Sequence, residues 1–126
     1  MKLEFLAAGS EDRPLIRLYD FDLVAARRLR EAFRSLALGS VQILPLHEEC
    51  WIEAVEVCAL DLRLGTRDLG LVERTPSRFD CILTADGWTD MASLTNPFCE
   101  FEKTESCTWL NQNGEISLLL TPSGRW

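Results

Sequence analysis

The sequence lacks several residue patterns on which enzymes and metalloproteins depend. Its single histidine, His47, excludes zinc sites built from two or three histidines and iron sites built from two. The five cysteines contain no C-x-x-C pair, so no second ligand cluster completes a tetrahedral site around His47. We therefore predict that the protein binds neither a metal ion nor another cofactor.

Motifs that bind phosphate groups or activate a serine are also absent. The sequence contains no G-x-x-x-x-G-K-[ST], no G-x-G-x-x-G and no G-x-S-x-G. These absences disfavour nucleotide-dependent chemistry and α/β-hydrolase chemistry. The sequence predicts a protein without enzymatic activity, and an uncharacterised enzyme stays open as an alternative.

Long apolar segments are absent as well. No run approaches the ~18 residues needed to span a bilayer. The first residues, Met1 to Phe5, lack the basic region and the apolar core of a signal peptide. An odd number of cysteines without a secretion signal is typical of reduced thiols that fill small apolar spaces. These features predict a cytoplasmic protein with no membrane partner.

Positive charge is scarce in the larger part of the chain. Residues 1–39 hold seven Lys or Arg against six Asp or Glu, a net charge of +1, and residues 40–126 hold six against fourteen, a net charge of −8. Together they account for the net charge of −7. Because nucleic acids and anionic membranes need a cationic surface, neither is predicted as a partner. A basic protein partner is favoured instead, with four candidate contact residues: Glu48, Glu49, Glu53 and Glu56.

Apolar residues fall on one side of an amphipathic helix predicted over about residues 22–38. Asp20 or Asp22 can accept hydrogen bonds from the first free backbone N–H groups, and Gly39 suits the left-handed position that ends a helix. A second, shorter helix is predicted over about residues 87–95, before a proline. A helix this one-sided needs a sheet to pack on, which indicates an α+β fold.

The remaining chain is typical of short strands. Alternating apolar residues predict strands over the segments 2–8, 15–21, 40–46, 51–64, 69–74 and 79–85. The first two are predicted to form a β-hairpin with a medium loop, and the last three an antiparallel meander. The dipeptide Asn113-Gly114 predicts a two-residue hairpin turn in which Trp109 faces Leu118 in the core. The predicted fold is one α+β domain over residues 1–126: a mostly antiparallel, curved sheet of about seven to nine strands with the main helix on one face.

Three tryptophans are candidates for the rim of a binding site, because tryptophan is enriched at binding surfaces. They are Trp51, Trp88 and Trp126.

The leading interpretation is an inhibitor-, adaptor- or immunity-type protein that binds a basic protein through its acidic sheet surface, without catalysis. The alternative is a small-ligand-binding protein, or an uncharacterised enzyme, with a pocket between the sheet and the first helix. A homodimer formed by edge-strand pairing is compatible with both.

Overall fold

The chain forms an α+β structure with two sheets and two helices, described here from a computed structural model. The structure describes residues 1–10, 13–100, 107–112 and 114–124. Within these ranges the elements, in chain order, are β1 (Lys2–Ser10), β2 (Arg13–Tyr19), α1 (Leu23–Ala37), β3 (Ile43–Pro45), β4 (Glu53–Ala54), β5 (Ala59–Leu64), β6 (Gly70–Thr75), β7 (Arg78–Leu83), α2 (Ala85–Glu100), β8 (Thr108–Asn111) and β9 (Ser117–Thr121).

Helix α1 confirms the prediction for residues 22–38 in its bounds and in both of its ends. The Asp22 carboxylate accepts a hydrogen bond from the backbone N–H of Ala25 at 2.9 Å, which satisfies one of the free donors of the first turn. Gly39 follows the last turn with φ of +74°, a conformation that costs glycine little because it has no Cβ. The buried face of the helix consists of Ala25, Ala26, Leu29, Ala32, Phe33 and Leu36.

Helix α2 exists where a second helix was predicted, but it is longer than the predicted range 87–95. It begins at residue 85 and continues past Pro97 to residue 100. A proline inside a helix removes one hydrogen bond, so the prediction ended the helix there. Burial beyond the proline outweighs that loss, because Phe98 is in the core and packs edge-to-face on Phe21 with ring centroids 5.9 Å apart.

The prediction of one mostly antiparallel sheet is not matched, because the strands divide into two mixed sheets. The first, sheet A, has the order β4-β1-β2-β9-β8, and the second, sheet B, has the order β3-β5-β7-β6. Strands β2 and β9 are parallel, and so are β5 and β7. In the predicted meander the antiparallel pairing of β6 with β7 is confirmed, but the place of β5 is wrong, because β5 lies beside β7 and parallel to it. Parallel neighbours need a long crossover connection, and the chain between β2 and β9 and between β5 and β7 supplies it.

Both sheets are assembled by the same rule. Each half of the chain contributes an antiparallel hairpin, then a helix, then a second antiparallel strand pair: β1-β2-α1-β3-β5 in the first half and β6-β7-α2-β8-β9 in the second. In both halves the second pair joins the hairpin of the other half through a parallel contact. The halves differ mainly in the connection inside the second pair, which spans residues 46–58 in the first half and only residues 112–116 in the second.

The hairpin of β8 and β9 has a different register from the predicted one. Trp109 pairs with Leu119, and an irregularity follows before Asn111 pairs with Leu118. Because side chains alternate along a strand, a shift of one residue exchanges the two faces. Leu110 is therefore buried in the core, whereas Trp109, which was assigned to the core, is only half-buried. The connection is also longer than the predicted two-residue turn, and Asn113 lies outside the described residues.

One apolar core is shared by both sheets and both helices. Phe5 of sheet A packs on Phe79 of sheet B with ring centroids 4.7 Å apart, and Phe33 of α1 stacks on Trp88 of α2 at 5.5 Å. The indole N–H of Trp88 donates a hydrogen bond to the backbone carbonyl of Arg63 at 3.0 Å, so its one polar atom is satisfied in the core. Within the described ranges no helix is both long and apolar enough to cross a membrane.

Candidate functional site

The four predicted glutamates lie together on the long connection between β3 and β5, residues 46–58, which we call the acidic loop. Glu48, Glu53 and Glu56 are exposed, and Glu49 is half-buried. The loop includes the short strand β4, which forms one edge of sheet A, while β3 and β5 belong to sheet B. These side chains are therefore gathered on a loop that runs from one sheet to the other and back.

The acidic loop is fixed to both sheets. A single 3₁₀ turn over Leu46–Glu48 buries Leu46, and the His47 ring accepts a hydrogen bond at Nδ1 from the backbone N–H of Leu60 at 3.0 Å. On the other side, the Glu53 N–H donates to the Met1 carbonyl at 2.9 Å. Because its backbone is held at several points, the loop presents its carboxylates from a defined scaffold.

The end of the acidic loop contains two consecutive non-glycine residues in the left-handed conformation. Glu56 has φ of +53° and Val57 has φ of +54°. Positive φ is a genuine outlier for a β-branched residue and costs on the order of 1–3 kcal/mol. This backbone also leaves Val57 85% exposed, so the strained turn holds an apolar side chain in solvent beside a carboxylate. Strain of this kind is a reason to look for function at the segment that carries it.

Replacing Val57 by glycine is expected to raise the free energy of unfolding by about 1 kcal/mol, because the strain relieved exceeds the conformational entropy that glycine adds to the unfolded chain. Chemical denaturation of the two proteins measures the difference. A matched control is Val72→Gly, at an exposed position of β6 with ordinary strand geometry, where a loss of about 1 kcal/mol is expected. Equal destabilisation by both changes would contradict strain at Val57.

An open groove lies between α1 and the acidic loop, with a volume of about 470 Å³. Trp51 and Leu44 form an apolar wall on one side, and Val24 and Ala32 of α1 lie on the other. The polar residues of the groove are Arg27, Arg28, Glu31, Ser35 and Glu49. Trp51 thus lines a groove beside the first helix, and its role in binding stays a prediction.

The other two candidate tryptophans do not lie at this groove in the part of the chain that the structure describes. Trp88 is fully buried between the helices and sheet B, so its side chain contributes to the core and not to a binding rim. Trp126 lies outside the described residues. Of the three tryptophans, Trp51 alone is seen at a surface with room for a ligand or a partner side chain.

The buried thiols are poor nucleophiles. Burial raises the pKa of the Cys58 thiol to about 11 and that of the Cys81 thiol to about 12, so both stay protonated near neutral pH. The one histidine is bound through Nδ1 to the backbone of β5 rather than to a thiol. Across the described ranges no group of three or more His, Cys, Asp or Glu side chains is arranged to hold a metal ion.

A charged cluster on the open face of sheet B was not identified from the sequence. It consists of Asp61, Arg63, Arg74, Arg78 and Asp80, which line a cleft of about 360 Å³. Alternation along β5 already indicated that Asp61 and Arg63 share a face opposite the leucines. The cluster itself required the pairing of β5 with β7 and of β7 with β6, because its members come from three strands.

Comparison with known proteins provides no relative for this fold or for these sites. No protein-family model, no curated protein and no solved structure matches the chain.

Proposed function

We propose that the protein is a non-enzymatic interaction module that binds a basic protein partner through the acidic loop. The observation that carries this proposal is the extra length of that loop. The second half of the fold joins the equivalent strand pair through residues 112–116 alone, whereas the first half uses residues 46–58 and carries the four glutamates there. Binding residues concentrate on loops that a rigid scaffold positions, and a loop elaborated in one half only fits that pattern.

The chemistry of the loop suits a partner with a basic rim around a small apolar pocket. Glu48, Glu53 and Glu56 are exposed to solvent, where their charge attracts a basic surface over a distance of about a Debye length. Val57 projects between β4 and β5 as an exposed apolar side chain. Buried apolar anchors contribute most of the affinity of an interface, and the charges around them contribute rate and specificity.

Neutralising the acidic loop is expected to remove partner binding at physiological salt. The variant carries Glu48→Gln, Glu49→Gln, Glu53→Gln and Glu56→Gln, and we expect at least about a tenfold loss of affinity because electrostatic steering and charge-assisted contacts are both lost. The measurement is a pull-down from lysate of the native host at low salt, elution with a salt gradient, and titration of the captured protein. A discrete basic protein that is released by salt supports the proposal.

The matched control removes the same amount of charge elsewhere. Glu73, Asp86, Asp90 and Glu115 are all exposed and lie outside the acidic loop, so their replacement by amides changes the net charge equally. The control is expected to keep most of the affinity. If both quadruple variants bind equally well, or if ionic strength leaves the affinity of the captured partner unchanged, the acidic loop is not the contact.

A second candidate function is the binding of a small molecule in the groove between α1 and the acidic loop. The observation that favours it is the groove itself, which has a tryptophan wall, several polar groups and a volume within the roughly 300–1,000 Å³ typical of ligand sites. A thermal-shift screen of metabolites tests it. A compound that stabilises the wild-type protein but not Trp51→Ala supports this function, and a screen without such a compound argues for the protein partner.

The proposal includes a cytoplasmic location, which the free thiols of the described residues support because reducing conditions keep cysteines unpaired.

A homodimer through edge strands also stays part of the proposal. Strand β8 ends sheet A and offers backbone groups for such a pairing, whereas Leu71 of β6, at the end of sheet B, already bridges Ile116.

A further inference from the structure

Asp80 occupies an unusual position for a carboxylate on the open face of a sheet. Its side chain is 2% exposed, and it is covered by the side chains of two arginines from the neighbouring strands. Arg74 donates from Nε to one carboxylate oxygen, and Nε of Arg63 lies 3.1 Å from the other. The Arg63 contact is within ion-pair distance, but its N–H does not point at the oxygen, so this pair is held by charge rather than by a directed hydrogen bond.

This arrangement leaves the outer edge of the Arg74 guanidinium group available. Both arginines use Nε towards Asp80, so the terminal nitrogens of Arg74, whose side chain is 58% exposed, face solvent. The Arg63 guanidinium group is shared, because Nη2 lies 3.8 Å from the Asp61 carboxylate, near the outer limit of an ion pair. Terminal nitrogens in a planar fork match the oxygens of a phosphate group in a bidentate contact.

A third arginine completes the cleft. Arg78 is exposed beside Thr75, with which it pairs across β6 and β7, and its side chain makes no ion pair or hydrogen bond within the described ranges. Three arginines against two aspartates give the cleft a local charge of +1 in a protein whose net charge is −7. An ion-pair network that served only to neutralise Asp80 has no need of this third cation.

We infer that the open face of sheet B carries a binding site for a small phosphate-bearing anion, held by Arg63, Arg74 and Arg78. Asp80 is the positioning residue, because it draws two guanidinium groups together on one side of the cleft. A phosphate group fits better than a carboxylate, because its additional oxygens and higher charge serve three guanidinium groups at once. The site is separate from the acidic loop and does not depend on the function proposed for that loop.

The test is isothermal titration of the full chain with two probes, inorganic phosphate and phenyl phosphate. Binding of inorganic phosphate alone indicates a free-phosphate site, and binding of both indicates a phosphate ester. Arg74→Gln and Arg78→Gln are each expected to weaken binding about tenfold, because each removes a charge-assisted contact. Both side chains are exposed, so the variants are expected to stay folded, which circular dichroism checks.

Two further variants make the test specific. Arg67→Gln removes an exposed arginine that does not line the cleft, and it is expected to leave the affinity unchanged. Arg74→Lys keeps the charge but loses the planar fork, and it is expected to lose most of the affinity. No binding of either probe at millimolar concentration overturns the inference. It is also overturned if Arg67→Gln weakens binding as much as Arg74→Gln, or if Arg74→Lys binds as the wild type does.

Discussion

Replacing Trp88 by alanine is expected to lower the free energy of unfolding by about 3–5 kcal/mol, the largest loss we expect from a single substitution in this protein. Trp88 is fully buried and stacks on Phe33, so its removal leaves a cavity where the two helices meet sheet B. Denaturant unfolding followed by circular dichroism measures the loss. A variant too unstable to purify agrees with the expectation, because a domain of this size is stabilised by only about 5–15 kcal/mol.

The matched control is Trp88→Phe, which keeps an aromatic ring but loses the indole N–H. The Arg63 carbonyl then loses its 3.0 Å hydrogen bond from the indole, and one such bond typically contributes about 0.5–1.5 kcal/mol to stability. We expect this variant to fold with intermediate stability. A loss under about 1 kcal/mol for Trp88→Ala would mean that Trp88 does not lie in the core.

Replacing Asp80 by asparagine is expected to lower the free energy of unfolding by about 2 kcal/mol. Removing one partner of a fully buried ion pair typically costs about 3–5 kcal/mol, because the remaining charge is left uncompensated. Arg63 and Arg74 reach solvent at the edge of the cleft, which reduces the expected loss. Asparagine has nearly the same shape as aspartate, so the change isolates the charge from any effect of a cavity. Urea denaturation at neutral pH measures it.

Asp61 provides the comparison for Asp80. It lies on the same face and contacts the same Arg63, but at 3.8 Å and with a side chain that is one quarter exposed. Asp61→Asn is therefore expected to cost less than about 1 kcal/mol, as for most exposed ion pairs. If Asp61→Asn destabilises the protein as much as Asp80→Asn, the buried position of Asp80 is not what gives it its effect.

Features determined by neighbouring residues could be predicted from the sequence. Helix α1 is the best example, because the Asp22 cap, the apolar face and Gly39 are all local signals and all three act as expected. The hairpin of β1 and β2 was predicted for the same reason. Helix α2 was predicted in place but not in length, because the burial of Phe98 beyond Pro97 depends on Phe21, which is distant in the chain.

Features that depend on distant pairing could not be predicted. Alternation shows that a segment is a strand, but it does not show that β2 lies beside β9 or β5 beside β7, so one sheet was expected where there are two. The predicted strand 51–64 failed for a related reason. Its two ends belong to different sheets, and the left-handed residues Glu56 and Val57 make the change of direction between them.

The candidate sites divide in the same way. Glu48, Glu49, Trp51, Glu53 and Glu56 are close in sequence, and the structure keeps them on one loop. Trp88 was predicted at the rim of a binding site because tryptophan is enriched at binding surfaces, but contacts with distant residues such as Phe33 bury it in the core. The cluster around Asp80 needs three strands in register, which no local pattern provides.

The exchange of strand pairs between the two halves affects how the protein can fold during synthesis. Strand β2 lies between β1 and β9. Leu15 can pair with Ser117 only after β9 has left the ribosome, about a hundred residues after β2. Until then the hydrogen-bonding groups on one side of β2 are open, and Ile16 and Leu18 lack part of their covering. The nascent chain therefore carries an unprotected strand edge while about a hundred further residues are translated, which exposes its first hairpin to aggregation or to chaperones.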